Sequence, residues 1–67
     1  MYVNDRIRKA VNGGIKMKTI ADKADVSYYR VSSVINPEKY KGESSFDKYE
    51  TKRINDALDL IAAALTL

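Results

Sequence analysis

Cysteine and histidine are both absent from these 67 residues. The chain therefore holds no disulfide, no thiol nucleophile, no imidazole base and none of the commonest zinc ligands, which argues against most catalytic chemistry. No pair of carboxylates stands in the apolar setting that acid–base work requires. Asp22 with Lys23, and Asp56 with Asp59, read as exposed helix-face residues, so no catalytic site, cofactor or metal site is assigned. Long apolar runs are missing as well. The start of the chain shows no basic segment followed by an apolar one, and the longest apolar stretch is too short to span a bilayer. A cytoplasmic protein without membrane contact is the expectation.

What is present is globular: 45% of residues are hydrophobic and 31% charged, enough for one small domain over residues 1–67. A domain of this size buries only about 60% of the surface its unfolded chain exposes. Without disulfides or a metal it relies on helix packing or on a partner chain, so self-association is favoured on stability grounds.

Apolar positions recur at helical spacing through most of the sequence. Val3, Ile7, Ala10 and Val11 give a scaffold helix that Asn12-Gly13-Gly14 ends. Two short helices follow, about Thr19 to Lys23 and Ser27 to Asn36. Ile20, Ala21 and Ala24 lie on one side of the first, Val31, Val34 and Ile35 on one side of the second, and Val26 at the turn. Small Ala21 lets the two cross closely, and Ser27 is a suitable N-cap. Pro37 stops the second helix, since it lacks an N–H and disfavours helical geometry before it. Pro37 to Ser45, with Gly42, reads as an exposed loop. From residue 46 to about 65, Phe46, Tyr49, Ile54, Ala57, Leu58, Ile61 and Leu65 mark one long amphipathic helix that closes the core.

Lys18 to Asn36 thus has the pattern of a DNA-reading helix-turn-helix. Its second helix points Tyr28, Tyr29 and Arg30 forward and carries Tyr28, Tyr29, Ser33 and Asn36 on its outer face. The net charge of +3 hides an asymmetry: residues 1–41 hold nine Lys or Arg against four Asp or Glu, and residues 42–67 hold three against five. Basic charge accompanies the motif, as a phosphate-facing surface requires. Lys16, Lys18 and Thr19 stand at the entry to the first motif helix, where phosphate contact is usual, and Lys39, Tyr40 and Lys41 lie in the loop beside it. Arg30 suits a guanine edge and a phosphate equally. The Tyr28–Tyr29 pair also has the character of a protein-binding hot spot.

The last eight residues, Leu60 to Leu67, are apolar almost all round, more than one packed face of a monomer needs. A homodimer through residues 58–67, with Leu58, Ile61, Leu65 and Leu67 at its contact, would cover them and would space two reading helices roughly 34 Å apart. The alternative is that these residues finish the intramolecular core or fray.

The stretch Thr19-Ile-Ala-Asp…Ala24-Asp-Val-Ser-Tyr-Tyr-Arg-Val-Ser-Ser-Val-Ile-Asn36 resembles the headpiece of the lactose-repressor family, and Lys52-Arg-Ile-Asn-Asp-Ala-Leu-Asp-Leu-Ile61 resembles that family's third headpiece helix. The extra helix before the motif, with no ligand-binding domain behind it, is more similar to the small phage Cro and lambda-repressor-like proteins of the same superfamily. This resemblance implies an all-α, compact four- to five-helix DNA-binding domain. Tyr28, Tyr29 and Ser33 match base-reading positions, whereas Ser27, Arg30 and Asn36 match phosphate-contacting or flanking ones. Two departures stand out. Asp25 occupies the turn position usually held by Gly, and Ser33 replaces a longer side chain, which shortens the reach to the bases.

The function expected on this reading is a sequence-specific, double-stranded-DNA-binding transcriptional regulator, a small phage or mobile-element repressor without a small-molecule effector. The alternatives are an excision or architectural DNA binder and an antirepressor that binds a partner regulator with the same fold.

Overall fold

The computed structural model describes residues 2–39 and 45–65, and among them it contains four helices and no strand: α1 (Val3–Asn12), α2 (Met17–Ala24), α3 (Tyr28–Ile35) and α4 (Lys48–Leu65). The chain is all-α. None of its described helices is long and apolar enough to cross a membrane.

Both early helices end by the same device. At α1 the Ile15 N–H bonds to the Ala10 carbonyl at 3.0 Å and the Gly14 N–H to the Val11 carbonyl at 3.0 Å, with Gly14 at φ +105°. At α2 the Val26 N–H bonds to the Ala21 carbonyl at 3.0 Å and the Asp25 N–H to the Asp22 carbonyl at 3.3 Å, with Asp25 at φ 56°, ψ 43°. These are paired six-to-one and five-to-two closures, which place one residue in the left-handed region. Glycine takes that conformation freely. Asp25 takes it at a cost that its short polar side chain tempers. The result is a three-residue turn, Asp25 to Ser27, between two eight-residue helices.

The core is built from one stripe per helix. Val3 and Ile7 come from α1, Ile20, Ala21 and Ala24 from α2, Val31 and Ile35 from α3, and Ile54, Ala57, Leu58 and Ile61 from α4; Met17, Val26 and Phe46 pack around them. The small side chains of Ala21, Ala24 and Ala57 allow close approach at buried positions. Two guanidinium groups tie α1 to its neighbours. Arg6 donates to Asn55 Oδ1 at 2.7 Å and Asp59 Oδ1 at 2.8 Å on α4, and Arg8 donates to the Ile35 carbonyl at 3.4 Å, one of the last carbonyls of α3.

The C-terminal helix ends at Leu65 as expected, but it starts later and buries a shorter stripe. It starts at Lys48 with Asp47 before it, so Phe46 lies outside the helix and packs on the core from the preceding segment. Tyr49 and Leu65 are 76% and 70% exposed, although the spacing put both in the core stripe. The stripe that is buried runs Ile54, Ala57, Leu58 and Ile61, because the other three helices cover only the middle of an 18-residue helix. Leu58 and Ile61, expected at a dimer contact, are buried within the monomer. Of the proposed site residues, Lys41 and Leu67 lie outside the described residues, as does Tyr40.

Candidate nucleic-acid interface

The back of α3 is apolar and buried, with Val31, Val34 and Ile35 turned inward, while Tyr28 and Tyr29 are 42% and 73% exposed at its N-terminal end. Their rings meet edge to face, with centroids 5.9 Å apart and planes at 75°, an arrangement favoured by the ring quadrupole. Tyr29 and Ser33 are four residues apart and so share one helix face, while Asn36 is the C-cap residue just past the helix, with non-helical φ -122° and ψ 66°. Asn36 is exposed and Ser33 half-buried. The Ser33 hydroxyl donates to the Arg30 carbonyl at 2.9 Å, which leaves its oxygen as an acceptor toward the outside.

Ser27 occupies the N-cap position of α3, and its carbonyl accepts the Val31 N–H at 3.1 Å, yet its side chain makes no cap bond. The capping expected of it does not occur. In the first turn of α2, Lys18 and Thr19 are exposed, and Lys18 lies 3.6 Å from Asp22 one turn on, a surface pair worth little. Lys16 and Lys39 are exposed as well.

Arg30 is where the structure departs most from the sequence reading. Its guanidinium is turned away from the outer face and held by α4. Nε donates to Glu50 Oε2 at 2.8 Å, and Nη2 donates to Glu50 Oε1 at 2.9 Å and to the Ser45 carbonyl at 2.9 Å. The guanidinium carbon also lies 5.8 Å from the centre of the Phe46 ring. Arg30 is therefore a tie between α3 and the start of α4, a partner set that the expected base or phosphate contact did not include. The reason is angular: position 30 lies one residue round the helix from Tyr29, on the flank that faces the α4 N-terminus.

Glu50 serves two purposes at once. Asp47 Oδ1 accepts the Glu50 N–H at 2.8 Å, and Glu50 Oε1 accepts the Asp47 N–H at 3.0 Å, a reciprocal capping box. The bonds from Arg30 hold the Glu50 carboxyl below its ordinary pKa, against the opposing effect of partial burial, and the Asp47 N–H assists. The sequence reading missed both acids. The signal was there in Asp47-Lys-Tyr-Glu50, an acid at the cap and a Glu three residues later.

Neither a family model, a curated protein nor a solved structure matches the chain.

A second surface lies at the C-terminal end of α4, beyond and beside the buried stripe. Ala62 to Leu65 are exposed with Leu60, and a groove of about 400 Å³ runs between α1 and the end of α4. Ala10, Ile15, Ile61 and Leu65 line it, with Arg6 and Lys9 at its edge.

Proposed function

We propose that this chain is a helix-turn-helix regulator of the lambda-repressor-like kind that binds double-stranded DNA with α3 in the major groove. The observation that carries this reading is the exposed Tyr28–Tyr29 pair at the front of a helix whose back is buried, reached from α2 through a three-residue turn. The excess of positive charge in residues 1–41 supplies attraction to phosphate. At the N-terminus of α3, where Ser27 makes no cap bond, backbone N–H groups are suited to a phosphate oxygen. Lys18 and Thr19 at the start of α2, with Asn36 and Lys39 after α3, are the flanking contacts. No catalytic role is proposed.

The molecule acts as a homodimer on a two-fold operator, repressing by occlusion in the manner of a small phage or mobile-element regulator. Leu60 and Leu65 supply the apolar contact, since Leu58 and Ile61 are already buried. Sedimentation of the free protein and of its operator complex tests this point, and one protein per operator on a saturated site would refute it.

Selection from a random duplex pool at two salt concentrations tests the reading as a whole. The expected outcome is a two-fold repeat with half-site centres about ten base pairs apart and affinity that falls steeply with salt. Recovery of no motif even at low salt would refute DNA reading and turn attention to a protein partner at the tyrosine pair. Strong bending with no repeat would indicate an architectural role.

A further inference from the structure

Between Asp25 and Glu38 the only charged side chain is Arg30. A guanine edge in the major groove offers two acceptors, N7 and O6, and the side chains that read it bidentately are Arg and Lys. Arg30 is the one residue of α3 with that chemistry, and its guanidinium is engaged by Glu50, Ser45 and the face of Phe46. The face left outward is neutral. It consists of two phenol rings, the Ser33 hydroxyl and the Asn36 amide.

From this composition we infer that the half-site bases under α3 are A·T pairs, read through thymine methyl groups and adenine edges and not through guanine. This rests on the DNA-reading role proposed above and specifies the sequence class it selects. Thymine is the only base that presents a methyl group in the major groove, and the exposed apolar rings of Tyr28 and Tyr29 are the surface that rewards it. Each phenol hydroxyl can also donate to thymine O4 or adenine N7. The amide of Asn36, just past the helix, has the chemistry that pairs bidentately with adenine N6 and N7. Ser33 accepts or donates and adds little discrimination. Arg30, held at α4, positions α3 without reading sequence. Glu50 thus sets specificity indirectly, by withholding the cation that would favour guanine.

The test uses the unaltered protein and chemically altered operator. Once selection has given the half-site, its thymines are replaced one at a time by deoxyuridine, which lacks only the methyl group. Its guanines are replaced separately by 7-deazaguanine, which lacks only the N7 acceptor. Loss of affinity of about fourfold at two or more uracil positions, the worth of one buried methyl group, is expected. Less than twofold loss is expected at every deazaguanine. A deazaguanine position that costs fivefold or more, the smallest effect of a bidentate contact, would overturn this inference and leave DNA reading intact. Uracil substitution without effect at all positions would overturn it equally. Failure to bind any natural duplex would overturn the DNA-reading role and this inference with it.

Discussion

Truncating Glu50 to Ala removes the acceptor for both Arg30 bonds and half of the α4 capping box. Hydrogen bonds to charged groups contribute about 1.5–3 kcal/mol, whereas fully exposed ion pairs contribute at most about 1. With side chains 29% and 17% exposed, Arg30 and Glu50 stand between these limits. Asp47 keeps its bond to the residue-50 N–H, so losing the Glu50 half of the box adds less than the about 1 kcal/mol of a whole N-cap. Glu50→Ala should therefore cost about 2–3 kcal/mol, out of a total that for a domain of this size is roughly 3–10. Glu50→Gln keeps a capping acceptor but not the charge, and should cost about half as much. In a domain this small each kcal/mol lowers Tm by about 4–8 °C, so Glu50→Ala should melt roughly 10–20 °C below the parent. Far-UV circular dichroism on heating reads this directly. A double-mutant cycle with Arg30→Met should give a coupling of at least about 1 kcal/mol. A Glu50→Ala melt within about 2 °C of the parent, or strict additivity in the cycle, would refute the clamp between α3 and α4.

The same carboxylate sets a pH limit. Its pKa is lowered in the folded chain, chiefly by the Arg30 bonds, so its contribution is fully present above the unfolded-state value and is lost as pH falls through the folded one. Denaturant melts should show a decline in stability below the ordinary glutamate range that Glu50→Gln makes shallower; parallel curves would mean that Glu50 is not its source. Asp25→Gly should raise stability by about 0.5 kcal/mol, because it removes the left-handed strain at φ 56°, whereas Asp25→Ala should lower it. Urea titration of the three proteins checks the order. On DNA, Tyr29→Ala should change base preference, while Lys18→Ala should weaken all sequences alike and lower the salt slope by about 0.9. Equal effects would mean that α3 does not face the bases.

Helix placement was legible because local chemistry dictates it. Gly13-Gly14 and Pro37 are stops whatever the tertiary setting, and the stripe Ile54, Ala57, Leu58, Ile61 has a period that only a helix can bury on one side. The turn at Asp25 was legible too, since few residues tolerate left-handed geometry there. Arg30 was not. Which flank of α3 meets α4 depends on how the helices cross, and no local pattern encodes it. Tyr49 and Leu65 misled for a related reason: apolar periodicity says which face a helix presents, but the length over which neighbours cover that face is a tertiary property. The Asp47–Glu50 box needed no tertiary knowledge and was simply readable.

Among the described residues, the ion pairs between helices join a cation from the basic part of the chain to an acid on α4, Arg6 to Asp59 and Arg30 to Glu50. The opposite charge balance of the two segments is thus partly internal mortar. Of the nine cations in residues 1–41, Arg6, Arg8, Lys18 and Arg30 already face a carboxylate within the molecule, so the ionic valence toward a polyanion is smaller than composition implies. Ionic strength consequently acts on two populations of charge. Exposed lysines, and the Arg6–Asp59 pair with its exposed carboxylate, are screened over a Debye length of about 8 Å in physiological salt, while the part-buried Arg30–Glu50 pair is screened much less. Salt high enough to strip the molecule from a polyanion should leave its architecture standing, which makes release reversible without unfolding.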